Sequence, residues 1–272
     1  ALIIEGQDDA GSWRNASELC YELLLNFTYS HDDIIYLTPE ERNNTKYIST
    51  KENVTKVIEN LSDALSEGDT LWVYIFAHGR LQYPENLTGY VALADWTPLY
   101  DRELNNSLGR IKKGVNITVV IESCYGGSFM DDLWTLENVV MIITSTDWKS
   151  ETYMASEGLD PPKFRFNRIK PWEWTWNDTN SEEDEGGEFS SGLIEGLDKL
   201  KDAFGRGEIT LGELYVKAFK TAKELDAGYR NGDLLMARYN KSQKKPNPLL
   251  NTIFFEGDIT HDGVVNIFDI YK

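Results

Sequence analysis

Two side chains in this sequence have the chemistry and the setting for nucleophilic catalysis, His78 and Cys124. A thiol attacks a carbonyl efficiently once something lowers its pKa or takes its proton, and an imidazole within reach does that. Each residue follows an apolar run. Leu71-Trp72-Val73-Tyr74-Ile75-Phe76-Ala77 precedes His78-Gly79, and Ile117-Thr118-Val119-Val120-Ile121-Glu122-Ser123 precedes Cys124-Tyr125-Gly126-Gly127. Runs of this length and composition predict strands buried on both faces of a parallel sheet. In such sheets the chemistry collects beyond the carboxyl ends of the strands, which would bring the imidazole and the thiol together. Gly79 and the Cys124–Gly127 turn also offer backbone N–H groups able to hold the oxyanion of a tetrahedral intermediate. His31 and His261 lie in polar turns and look incidental. Cys20 falls within an amphipathic helical pattern, Ala16 to Leu24, and is expected to be a core thiol. A disulfide between Cys20 and Cys124 would disarm the nucleophile.

The elements that must position these residues alternate. Leu2–Glu5 is a predicted strand, and with no basic region before it the segment does not resemble a signal peptide. A helix follows around Ser17–Leu25, then a strand at Ile34–Leu37 stopped by Thr38-Pro39. The spacing of Val54, Val57, Ile58, Leu61 and Leu65 predicts a helix closed by Gly68. After the His78 strand come a small arm at Tyr90–Leu93, a helix over Leu99–Ile111, the Cys124 strand, and another buried strand at Val139–Ser145. Lys149 to Gly187 is a long irregular segment with Pro161-Pro162, Trp172, Trp174, Trp176 and an acidic run. Helices are expected at Ser190–Phe204 and Leu211–Ala227, the second with a capping box from Thr210 and Glu213. Alternation of this kind predicts an α/β fold: a three-layer sandwich with a mostly parallel central sheet and helices on both faces.

Composition narrows the function. The chain has 272 residues, 41% of them hydrophobic, with 27 basic and 45 acidic residues for a net charge of −18. Such a charge repels phosphate backbones and argues against nucleic acid as a partner. No run is long enough to span a membrane. Nineteen Asn and 35 Ser plus Thr predict about 2.4 Asn-x-Ser/Thr sequons by chance, yet ten occur, at Asn15, Asn26, Asn43, Asn53, Asn60, Asn86, Asn105, Asn116, Asn177 and Asn240. That excess points to an extracellular or cell-surface glycoprotein.

The apolar run before His78-Gly79, together with Ile121-Glu122-Ser123-Cys124-Tyr125-Gly126-Gly127-Ser128-Phe129-Met130, resembles the legumain branch of the caspase-like cysteine peptidases. Gly187–Leu197 resembles a helix late in that fold, and the resemblance spans about Leu2 to Ala227. It implies a caspase-like sandwich with His78 as general base and acid, Cys124 as nucleophile, and the N–H groups of Gly79 and Cys124 as the oxyanion hole. It also implies peptide-bond cleavage through a thioester. Where the family commonly has Ser-Gly, this chain has Gly126-Gly127. Glu122 lies two residues before Cys124, so a strand projects both the same way; in relatives that position lines the pocket for the residue preceding the scissile bond. Arg14 matches the legumain arginine facing the same pocket, and Asp147 is a further pocket candidate. An acid with a base suits Asn in that pocket, whereas an acid alone suits Arg or Lys; Asn is the expectation, with Arg or Lys beside it.

Near the C-terminus, Asp258, Thr260, Asp262, the Val264 carbonyl, Asn266 and Asp269 occupy positions 1, 3, 5, 7, 9 and 12 of a calcium-type loop, with Gly263 at the sharp turn. Asp in place of Glu at position 12 resembles a dockerin repeat, which implies structural Ca2+ and a possible cohesin partner; a dockerin has two such loops and this chain carries one. The expected organisation is a peptidase domain over residues 1–243, a linker over 244–256 and a partial dockerin-like repeat over 257–272. The expected function is an extracellular or surface cysteine endopeptidase acting on protein or peptide substrates, without a cofactor in catalysis. The rivals are an idle scaffold module tethered by its dockerin, and a transpeptidase or ligase using the same thioester.

Overall fold

The structure is a computed structural model that describes residues 1–7, 12–26, 29–82, 88–146, 148 and 238–241. The expected segments at 149–187, 190–204, 211–227 and 244–272 lie outside the described residues. The central sheet has seven strands, in the order β10-β9-β8-β4-β1-β2-β3. These are β1 (Leu2–Glu5), β2 (Ile35–Thr38), β3 (Tyr47–Ile48), β4 (Thr70–Phe76), β8 (Asn116–Glu122), β9 (Val139–Thr144) and β10 (Arg238–Lys241). All pairings are parallel except β10 with β9. A separate three-stranded antiparallel sheet, β5 (Gly79–Leu81), β6 (Gly89–Ala92) and β7 (Pro98–Tyr100), projects from the end of β4.

The buried runs became the inner strands. From Leu71 to Phe76 and from Ile117 to Glu122 every residue is buried. On one face Leu71, Val73, Ile75, Ile117, Val119 and Ile121 join a cluster with Val54, Val57 and Ile58 of α2 (Lys51–Ala64), Leu104 and Leu108 of α3 (Asp101–Leu108), and Leu133 of α4 (Met130–Leu133). The opposite face is met by α1 (Ser12–Asn26), whose Ser17 bonds Glu5 and Tyr36 and whose Tyr21 stacks on Tyr36. Helices on both faces make the expected three-layer sandwich.

Strand β1 is the switch point. From it the chain runs outward through β2 and β3, then returns to β4 on its other side and continues through β8 and β9. In such sheets the crevice for a ligand opens at the carboxyl ends where the order reverses, here between β1 and β4.

Several boundaries differ from the sequence expectation. The apolar spacing from Leu99 to Ile111 fits one helix, but Val91↔Leu99 pairing draws Pro98–Tyr100 into β7, so α3 starts at Asp101. Gly68 does not close α2: that helix ends at Ala64 with Leu65 extended, and Gly68 occupies a later turn at φ 95°. Strand β3 has two residues, too few for a period of two to show. Both cysteines are free, and burial pushes the Cys20 thiol far above its ordinary range, so the disulfide is absent and Cys20 stays protonated.

Asp101 anchors the small sheet under the Cys124 loop. It is buried and accepts the N–H groups of Gly89 at 2.7 Å and Arg102 at 2.6 Å. Burial pushes its carboxyl up to about 6; those two N–H groups oppose the rise, and Asp132 and Asp131 add to it. The folded protein therefore binds this proton more tightly than the unfolded chain, so the stability that Asp101 contributes is present near pH 4 and is lost as pH rises through 6. The difference in unfolding free energy between wild type and Asp101→Asn, measured by urea denaturation, is expected to fall from pH 4 to pH 7; a flat difference would contradict this assignment.

Candidate active site

Register places the two reactive residues. In the parallel pairing of β4 with β8, Phe76 is the partner of Glu122, and the Ala77 N–H donates to the Glu122 carbonyl at 3.1 Å. Neighbouring strands lie about 4.8 Å apart. His78 and Cys124 each stand two residues past that pair, just beyond the ends of adjacent strands. Both are partly exposed, where their neighbours along the strands are buried. The contact between the two turns is close: a Cβ on Gly79 would sit 2.0 Å from the Cys124 carbonyl oxygen and 3.0 Å from the Ser123 Cβ. Only glycine lets these backbones approach in this way.

The Cys124 turn is held from the next strand. The Gly126 N–H donates to the Ser123 carbonyl at 3.2 Å, closing the turn with Tyr125 at φ 58°. A left-handed tyrosine is unfavourable and persists only where its surroundings fix it. Thr146, just past β9, supplies the fixing: its hydroxyl donates to the Ser123 carbonyl at 2.8 Å and accepts the Gly126 N–H at 2.9 Å. The Ser123 N–H donates to the Ser145 hydroxyl at 3.3 Å. Cys124 therefore sits in a turn stapled on either side by one buried threonine.

Glu122 is fully buried on the same face as Phe76 and Glu5, its in-register neighbours. Glu5 is paired with Arg42, which also reaches Glu18 and Glu40. Arg42 donates to both of its carboxylate oxygens, at 2.9 and 2.7 Å, and Ser17 and Tyr36 donate at 2.5 and 2.9 Å. Burial works against the charge on Arg42, but these bonds to Glu5 hold its pKa above the ordinary value.

Arg14, the other expected pocket residue, makes its ion pairs with Glu18 at 3.1 Å and Glu40 at 4.0 Å. It lies in the first turn of α1, half exposed. Asp147 lies outside the described residues, as do Asp258, Thr260, Asp262, Val264, Asn266 and Asp269. Among the described residues no group of three or more His, Cys, Asp or Glu side chains is arranged to hold a metal ion.

Sequence reasoning missed three supports of this site: Thr146, and the two tryptophans that meet the imidazole of His78. Trp13 meets it in a T-shaped contact, with ring centroids 5.7 Å apart and planes at 82°, and Trp96 stacks at 5.5 Å and 20°. Trp13 could have been found from its place directly beside Arg14, at the mouth of the switch point. Trp96 carried no signal beyond an Asp-Trp-Thr-Pro turn.

An imidazole and a thiol past adjacent parallel strands, over a buried acid, are the groups that nucleophilic thiol chemistry needs. Residues 5–133 match the model of the family described as "Metacaspase, peptidase C14 domain". Among curated relatives, the chain is 26% identical over 117 residues to Metacaspase-7 of Arabidopsis thaliana, covering 40% of this chain and 28% of that protein. It is 24% identical over 148 residues to Metacaspase-1 of Saccharomyces cerevisiae, covering 50% and 34%. The matched region thus spans about a third or less of those relatives' lengths. The fold is similar to the crystal structure of protein GSU0716 from Geobacter sulfurreducens, with a TM-score of 0.57 at 12% identity over 93% of this chain and 96% of that one. These matches support a cysteine peptidase of the caspase-like class.

The Gly79 contact gives a direct test of the geometry. Gly79→Ala must push the Cys124 backbone aside, and a displacement of about 1 Å can cost on the order of 100-fold in rate. Peptidase kcat/KM is expected to fall by about that factor with an unchanged circular dichroism spectrum; wild-type activity in this variant would contradict the close approach.

Proposed function

We propose that this chain is a cysteine endopeptidase in which Cys124 attacks the scissile carbonyl and His78 serves first as base and then as acid. The observation that carries the reading is the shared register of His78 and Cys124 past the Phe76–Glu122 pair. The thiol proton passes to His78 as the carbon–sulfur bond forms, and His78 returns it to the leaving amine as the peptide C–N bond breaks. Water then cleaves the thioester and releases the acid. The backbone N–H groups of Gly79 and Cys124 are the proposed oxyanion hole.

The specificity side of the proposal departs from Asn. Arg14 pairs with Glu18 and Glu40, and the fully buried Glu122 gives the pocket its acid. That arrangement favours Arg or Lys before the scissile bond. The metacaspase matches favour the same branch over the legumain one.

Surface display rests on the ten sequons, and calcium binding on the 258–269 loop and its likeness to a dockerin, with a cohesin as the partner such a segment would engage. Calorimetric titration of the EDTA-stripped chain with Ca2+ is expected to show one bound ion, lost in Asp258→Ala; no heat of binding from the wild type would remove calcium from the account.

Fluorogenic peptides with Arg, Lys or Asn before the reporter test the central reading. Wild type is expected to turn over the Arg and Lys substrates, with Asn at least about ten-fold slower, the usual worth of one pocket charge pair, and Cys124→Ala is expected to be inactive on all three. Turnover retained by Cys124→Ala would refute the thiol mechanism, and a preference for Asn would return Arg14 to the pocket.

A further inference from the structure

The turn between β6 and β7 is strained, and the residue at its tip stacks on His78. Asp95 and Trp96 both adopt left-handed backbone, at φ 57° and 60°. Neither is glycine, and two such residues in succession persist only when their surroundings impose the conformation. Those surroundings are a set of short bonds. Leu93 N–H donates to the Thr97 carbonyl at 2.9 Å, Trp96 N–H to the Leu93 carbonyl at 3.0 Å, and Ala94 N–H to the Ser49 carbonyl at 3.1 Å. The Asp95 N–H donates to the side chain of Gln7 at 3.3 Å. The root of the turn is tied to the site itself, because the Ala92 N–H donates to the His78 carbonyl at 2.8 Å.

Burial does not explain why a tryptophan stands there. Trp96 is 49% exposed, whereas Trp13, which also meets that imidazole, is 1% exposed and is placed by core packing. The contact of Trp96 with a described ring is the near-parallel stack on His78. We propose that Trp96 is a positioning residue for catalysis: the strained turn holds its indole stacked on His78, so that Trp96 and Trp13 together fix the imidazole. A histidine that takes a proton from a thiol and delivers it to a leaving amine must keep one ring orientation through both transfers. Contacts from two aromatic rings restrict rotation of the imidazole. The indole face also favours the imidazolium that exists between the two transfers, since a cation over a tryptophan ring is stabilised by its quadrupole. This inference rests on the peptidase reading for the role of His78, and on the geometry alone for the effect of Trp96 on that ring.

Backbone and ring can be separated by substitution. Trp96→Gly relieves the left-handed strain but removes the indole, Trp96→Phe keeps an aromatic wall, and Trp96→Leu keeps an apolar side chain of similar strain without a ring. Peptidase kcat and KM, melting temperature, and the rate of Cys124 alkylation by iodoacetamide would be measured for all four proteins. In Trp96→Gly, kcat and alkylation rate are expected to fall about ten-fold, with KM within two-fold and a melting temperature no lower than wild type. Trp96→Phe is expected to recover to within about three-fold of wild type, and Trp96→Leu is not. Should the glycine variant fold poorly, the comparison of phenylalanine with leucine decides alone. Equal rates for those two, a loss confined to KM, or a wild-type kcat in Trp96→Gly would overturn the inference. If wild type cleaves no peptide while alkylation follows the aromatic series, the peptidase reading falls and the positioning of His78 by Trp96 stands.

Discussion

The pairing of β4 with β8 is the constraint on which the rest depends. A parallel pair fixes which residues stand level at the carboxyl ends, and a slip of one residue would turn every side chain to the other face. Leu71, Val73 and Ile75 against Ile117, Val119 and Ile121 lock the register by burying one whole face against α2, α3 and α4. The cost of moving those residues to the wrong side is what keeps His78 level with Cys124. The placement of these two residues is in this sense a by-product of core packing.

Around that pair the chain spends stability to hold exact positions. The left-handed residues Tyr125, Asp95 and Trp96 all lie in the two turns that surround His78 and Cys124. Gly79 closes the gap between those turns by having no side chain. The strain is carried by neighbouring elements: Thr146 from the end of β9, and Ser49 and Gln7 from the β1 side of the sheet. The Glu5–Arg42 pair, with Ser17 and Tyr36, does comparable work for β1, satisfying a buried carboxylate at the switch point that would otherwise be costly.

Much of this was legible in the sequence, for a physical reason. Buried parallel strands need continuous apolar runs, so Leu71–Ala77 and Ile117–Ser123 announced themselves, and the residues after them followed as the candidates for chemistry. The α2 face was equally plain, since Val54, Val57 and Ile58 keep helical spacing. What stayed hidden depends on three-dimensional neighbours. Leu99 fits a helix by spacing and was taken by a strand through its pairing with Val91. Arg14 was expected at the pocket, and its ion pairs with Glu18, four residues along its own helix, and with Glu40 had no signal in the spacing of the sequence. Trp96 and Thr146 sit in short polar turns whose role exists only once the sheet has brought them to the site.

The most direct test of the account is covalent labelling with a peptide acyloxymethyl ketone carrying Arg or Lys at its reactive end, followed by peptide mapping. The account predicts one adduct, on Cys124, formed at neutral pH and slowed by about 100-fold in His78→Ala, in line with the usual contribution of a positioned base. An adduct on Cys20, or labelling of Cys124 at the same rate without His78, would contradict it.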